Sequence, residues 1–135
     1  MQLDFAKLDG LVPAIVQDAG TGEVLMLGFM NEQAYAETRA SGEVTFFSRT
    51  RNKLWRKGEQ SGHVLRVRDV RVDCDNDALL FSVDAVGPGV CHEGYRSCFF
   101  RRLNADGASP VIAERTFDPN AIYASNSGDS KGAKK

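Results

Sequence analysis

Hydrophobic residues recur at every second position through much of this chain, and glycine, asparagine and proline mark where that rhythm stops. The stretch "AIVQDAGTGEVLMLGFM", residues 14–30, predicts two strands joined at Gly20–Gly22, where a hairpin turn needs permissive backbone. The pattern then changes. Asn31 caps a predicted helix, "EQAYAETRAS", and Gly42 ends it as the left-handed residue just past the last turn. Ala34, Tyr35 and Thr38 give that helix one semi-apolar face, suited to lying on a sheet. "EVTFFS" reads as a further strand. "RTRNKLWRKGEQSG" is polar and punctuated by glycine, a loop with a short strand around Leu54 to Arg56.

Alternation returns in "HVLRVRDVRVD", but its parity slips: Leu65 and Val67 are odd, Val70 and Val72 even. A bulge near Arg68–Asp69 restores one inward face. Asp75–Asn76 is placed to turn the chain into "ALLFSVDAV", the next strand. "GPG" then breaks the chain and "VCHEGYRSC" follows as a loop. "FFRRL" and "SPVIAERTF" read as late, short strands. From 118 to 135 serine, glycine, asparagine and lysine dominate, and a disordered tail is expected after a domain spanning 1–117. The elements add up to a sheet-dominated α+β domain with one main helix.

Composition narrows the setting. The chain has 135 residues, 42% of them hydrophobic, enough for one core. It holds no apolar run long enough to span a bilayer, and its N-terminus lacks the basic-then-apolar order of a secretory signal. A cytoplasmic setting with reduced thiols is therefore expected. Three cysteines are an odd number, so a Cys91–Cys98 disulfide would still leave Cys74 unpaired; metal ligation or plain burial fits better. Net charge is −1, yet residues 49–68 hold seven cations against Glu59 alone. A local basic patch on a near-neutral chain favours a small anionic ligand over long nucleic acid.

The candidate chemistry begins with "DCDND", 73–77. At roughly 5 Å and an effective dielectric of ~20, each carboxylate pair there repels by about 3 kcal/mol. Either the group splays into water or a cation sits among Asp73, Asp75 and Asp77. In an extended chain the three acids share one side, suiting a hard ion such as Mg²⁺, while Cys74 faces the other and suits Zn²⁺. In a tight turn the sidedness blurs but the carboxylates still cluster. A calcium EF-hand fails, because Ala78 stands where its loop requires glycine and Asp84 where it requires glutamate.

Cys91, His92 and Cys98 lie in "CHEGYRSC". Three thiolates are one short of a closed structural zinc site but match a catalytic one, which keeps a position open for water. Three buried cysteines, or a closed site completed by His92, are the alternatives. Zinc lowers the pKa of bound water to about 7, and His92 is the better placed of two histidines to move a proton; His63 follows "SG" without an assigned role. In the basic segment, Arg49 and Arg51 suit bidentate phosphate binding, Lys57 adds charge, Ser61 a hydroxyl and Trp55 a flat surface. The plainer reading is a solvated charged face with Trp55 in the core. A zinc-stabilised RNA- or nucleotide-binding module is the rival to an enzyme, and the neutral overall charge counts against it.

Taken together, "GFMNEQAY", "FFSRTRNKLW", "LWRKGEQSG", "DCDNDALL" and "CHEGYRSCFFR" resemble the signature segments of phosphoribosyl-AMP cyclohydrolase, an enzyme of histidine biosynthesis. The resemblance runs from about Leu11 to Leu103. It implies Mg²⁺ on Asp73, Asp75 and Asp77, and zinc on Cys74 together with Cys91 and Cys98 of the neighbouring subunit. It therefore implies an obligate homodimer with shared sites. The reaction implied is hydrolytic opening of the adenine ring of 1-(5-phosphoribosyl)-AMP at N1–C6, giving the phosphoribosyl-formimino aminoimidazole carboxamide ribotide. The His-x-Glu with Pro-Cys-x-x-Cys pattern of base deaminases is absent.

Overall fold

The computed structural model describes residues 2–123. Strands β1 (Val12–Asp18) and β2 (Val24–Met30) form the first hairpin, closed by Asp18, whose carboxylate accepts from the N–H groups of Gly20 and Thr21 at 3.1 and 2.8 Å. Helix α1 (Glu32–Ser41) follows at once. Its start and stop are local: the Asn31 side chain accepts from Ala34 N–H at 2.8 Å, and Gly42 takes φ 76 with its N–H on Thr38 O.

Strands β3 (Thr45–Ser48) and β4 (Lys53–Arg56) pair antiparallel as a separate two-stranded sheet. Strands β5 (Leu65–Val72) and β6 (Leu79–Ala85) complete the main sheet, whose order is β2-β1-β6-β5. All neighbours in it are antiparallel except β1 and β6, which run parallel with Ala14 opposite Leu79 and Asp18 opposite Val83. The β5 register shifts between Val67 and Asp69, so Val67, Val70 and Val72 sit opposite Val83, Phe81 and Leu79, all core residues. The expected bulge is there, and it is what keeps the valines on one face.

The two sheets meet where a side chain is missing. A β-carbon on Gly28 would stand 2.5 Å from Cδ1 of Phe46, so β3 lies directly on β2. Val12, Ala14, Val16, Leu25, Phe46, Trp55, Leu65 and Phe81 fill the core between the layers and α1. Thr38 serves this junction twice, its hydroxyl lying 2.9 Å from Ala34 O within the helix and accepting from Thr45 N–H at 3.0 Å. Residues 42–44 continue along the β5 edge, with Val44 N–H on Leu65 O at 2.9 Å and Val67 N–H on Gly42 O at 2.8 Å.

The late strands are corrected. Residues 99–103 and 109–117 form no strand; they meet only at an isolated bridge between Arg101 and Val111. Every residue from 101 to 116 is exposed, so within the chain this hairpin has no sheet to lie on. A short helix, α2 (Pro119–Tyr123), occupies the start of the stretch expected to lack structure. The rest of that expectation, 124–135, lies outside the described residues. No helix among the described residues is long and apolar enough to cross a membrane.

Candidate active site

The acidic loop joins β5 to β6. Asp73 closes it as a turn: its N–H donates to Ala78 O at 3.0 Å, and its Oδ1 accepts from the N–H groups of Asp77 and Ala78 at 3.0 and 3.2 Å. Asn76 takes φ 65, the left-handed conformation that asparagine tolerates. The loop is thus the tight-turn alternative, and one carboxylate oxygen from each of Asp73, Asp75 and Asp77 lies within 4.8 Å of the others. Asp75 and Lys7 pair at 3.1 Å, and Lys7 reaches Asp77 at 3.3 Å. Asp75 raises the pKa of the Asp77 carboxyl, with burial and Asp73 acting the same way, whereas Lys7 lowers that of Asp75. The crowding that the sequence suggested is present. Lys7, distant in sequence, is the partner that sequence reading missed. Cys74 is exposed.

The second loop is tied down at both ends. Val90 N–H donates to Arg96 O and Cys91 N–H to Tyr95 O, each at 3.0 Å. Arg96 bridges Asp18 and Glu23 of the β1–β2 hairpin at 3.2 and 2.8 Å. Ser97 Oγ donates to Val24 O at 2.8 Å, and Cys98 N–H to Leu25 O at 2.8 Å. Inside the loop the two thiols interact. A hydrogen bond from Cys98 lowers the Cys91 pKa to about 6; Glu93 N–H and the charge of Lys57 add to it, against burial. His92 follows, half-buried. The segment after the exposed hairpin straps this loop from outside, with Thr116 N–H on Gly94 O at 2.8 Å and Arg115 Nε on Glu93 O at 2.9 Å.

His63 joins the same region. Its Nδ1 lies 3.1 Å from Gly89 O; a carbonyl only accepts, so Nδ1 carries the proton and Nε2 is the free nitrogen of the neutral ring. Phe117 meets the ring edge-on at 5.0 Å. Burial is the main cause that lowers the His63 pKa, and Lys57 adds to it. The only sequence hint was the glycines at 58 and 87, each of which leaves no room for a β-carbon against His63. Ser61 Oγ accepts from His63 N–H at 3.1 Å and so shapes the turn leading to it.

The basic segment divides in two. Arg49 lies over the Phe29 ring at 4.0 Å, at the end of β2 that pairs with Val12. Arg51 has Nε and Nη2 buried without a hydrogen-bond partner, an arrangement that costs free energy until an acceptor arrives. Trp55 and Lys57 turn inward instead. Trp55 is 3% exposed and stands 5.5 Å from Phe46 in the core, the plainer of the readings its sequence allowed. Lys57 is buried with Nζ 5.6 Å from the Trp55 ring, and its charge is felt by both Cys91 and His63.

The three cysteines do not come together within one chain. Cys98 sits beside Leu25 on the β2 edge, near the end of β1 at Gln17. Cys74 lies beyond Leu79, which pairs with Ala14 toward the other end of β1 and one strand further across. At about 4.8 Å per strand and 3.3 Å per residue, that places the two loops well over a metal-ligand distance apart. The Asp73, Asp75 and Asp77 group is the only potential metal cluster of three or more such residues among the described residues.

The family described as phosphoribosyl-AMP cyclohydrolase matches residues 26–100, which contain both loops and the basic segment. The chain is 57% identical to the phosphoribosyl-AMP cyclohydrolase of Solibacter usitatus, across 94% of this chain and 100% of that protein. It is 55% identical to that of Desulforapulum autotrophicum, across 91% and 98%. With that of Pelotomaculum thermopropionicum the identity is 55%, across 84% and 88%. On this similarity, which spans nearly the whole chain, the protein belongs to the phosphoribosyl-AMP cyclohydrolase family of enzymes.

Proposed function

We propose that the protein hydrolyses 1-(5-phosphoribosyl)-AMP at N1–C6 in histidine biosynthesis, as a homodimer that uses zinc and Mg²⁺. The observation that carries this reading is the division of its donors. A thiol pair with one sulfur already near its thiolate form lies in one loop, and a third cysteine among three carboxylates lies in another. Two copies related by a two-fold axis would bring Cys91 and Cys98 of one to Cys74 of the other, making two equivalent sites.

The residues suit both ions. Cys91 and Cys98 with Cys74 of the second copy form a three-thiolate set that leaves a position for solvent, and Asp73, Asp75 and Asp77 offer the oxygen donors that Mg²⁺ takes. Zinc held there supplies acidification of a water molecule, and Mg²⁺ charge beside the substrate phosphates. The protein's own groups do the rest. Arg51 presents Nε and Nη2, two adjacent unsatisfied donors with the spacing of a bidentate phosphate contact. Arg49, at the same end of the sheet as the acidic loop, adds charge there. Lys57 acts inward, where its ammonium favours the Cys91 thiolate.

Alkylation at N1 leaves C6 an electron-poor amidinium carbon. As water adds to C6, His92 takes a water proton and returns it to N1. The N1–C6 bond then breaks with its electron pair on N1, the C6 hydroxyl proton passes to solvent, and C6 becomes the carboxamide carbon. An RNA-binding module finds less support, since Trp55 is buried and offers no stacking platform.

The test is the absorbance change on adding phosphoribosyl-AMP to purified protein, before and after chelation and after zinc is restored. Activity that disappears with the metal and returns with it supports the proposal. Undiminished turnover by metal-free protein overturns it.

A further inference from the structure

The exposed hairpin at residues 99–112 has a cost that the single chain does not offset. Phe99, Leu103, Val111 and Ile112 are 58%, 78%, 52% and 50% exposed. The hairpin is nevertheless held in shape by Arg102 N–H on Pro110 O at 3.0 Å, Asn104 N–H on Ala108 O at 2.8 Å and Ile112 N–H on Phe100 O at 2.9 Å. Its root is fixed, since Phe100 stacks on Tyr95 with ring centroids 3.8 Å apart. A two-stranded hairpin showing this much apolar surface is not stable by itself in water.

A complementary surface lies elsewhere on the same chain. On the face of the main sheet turned away from the core, Ile15 and Leu80 line an apolar groove of about 270 Å³, with Arg71 opposite Leu80, that ends at Asp73. Asp73 adjoins Cys74, and Phe99 adjoins Cys98. If Cys98 of one copy stands beside Cys74 of the other, the hairpin enters the dimer at the mouth of that groove. Leu103 is five residues on, a reach of up to roughly 17 Å. Charge agrees with the direction of approach: the hairpin opens with exposed Arg101 and Arg102, and the groove ends at the acidic loop, while Arg71 in its lining is paired with Asp69 at 3.5 Å.

We infer that residues 99–112 are a docking arm whose apolar side chains seat in the Ile15–Leu80 groove of a second copy, so that each dimer contains two arm-in-groove contacts. The arm and the cysteine loop are consecutive in sequence, so the contact that holds the copies together also delivers Cys98 to its counterpart. This rests on the shared-zinc reading above and adds to it the surface that forms the dimer.

The experiment is sedimentation equilibrium of the zinc-loaded full chain. One variant carries Leu103→Asp, Val111→Asp and Ile112→Asp in the arm, another Leu80→Glu in the groove, and circular dichroism confirms the fold of each. All three arm positions are exposed, so the arm variant keeps its core intact. Each variant should dimerise roughly 100-fold more weakly than the natural chain, as loss of central apolar anchors does. Mixed in equal amounts they should dimerise more tightly than either alone, because the mixed dimer retains one intact arm and groove while each variant's own dimer retains none. An arm variant that dimerises like the natural chain, or a mixture no tighter than its components, overturns the docking arm and leaves the shared zinc standing. A natural chain that stays monomeric with zinc bound overturns both.

Discussion

At Gly28 a β-carbon would stand 2.5 Å from Cδ1 of Phe46, a ring buried at the centre of the molecule. Gly28→Ala should therefore destabilise the fold by about 2 kcal/mol, the usual cost of overpacking a core that cannot give way. Urea denaturation checks this, and an unchanged midpoint would show that Phe46 moves freely. His63 provides a second test. Burial holds its pKa below the ordinary value of 6.5. The unfolded chain then binds the proton more readily, so the stability His63 contributes is complete above 6.5 and is lost as pH falls toward the folded value. Denaturation midpoints between about pH 5 and 8 should fall on acidification, and His63→Phe should remove that part of the slope. NMR titration of the ring should give a midpoint under 6.5; a higher one would contradict the packing described. Neither His63 nor Lys7 could be assigned from sequence. Each gains its meaning from a residue 26 or 68 positions away, Gly89 and Asp75.

Among the elements, those governed by near neighbours in sequence were legible. The Asn31 cap, the Gly42 stop, the Asp18–Gly22 turn and the bulge after Val67 each depend on residues within a few positions of one another. The 99–103 and 109–117 segments failed as strands because a few apolar residues in a row report only a local preference; a strand also needs a sheet to join, and these two meet at a single bridge. The Asp73–Ala78 loop combines both situations. Its turn is closed locally by Asp73, while the balance of its charges includes Lys7. Asp75 disfavours the charged form of Asp77, as expected of a site that lacks enough positive charge. Asp77→Asn should leave the turn intact, since Asp77 contributes its backbone N–H to Asp73, and should weaken Mg²⁺ binding about tenfold or more. Titration calorimetry measures it, and an unchanged affinity would remove Asp77 from the ligand set.

For the whole molecule, the separation of Cys74 from Cys91 and Cys98 within the chain leads to a complementation test. Cys74→Ser and Cys91→Ser should each be inactive alone. Equal amounts mixed and reassembled should regain about a quarter of natural activity, because half the dimers are mixed and each of those holds one complete site. Assays of the mixture, with zinc content measured alongside, decide it; no recovery despite verified exchange would mean that zinc is not shared. The sequence by itself determined the α+β composition, the order of the strands up to residue 85, the single main helix, and the residue types available for sulfur and oxygen ligation. These are written in local periodicity, caps and chemistry. Only the tertiary structure decided that β6 runs parallel beside β1, that Trp55 and Lys57 turn inward, and that the two candidate metal loops stand apart. Such facts depend on contacts between residues far apart in the chain, where burial of the core outweighs local preference and spacing carries no record of the outcome.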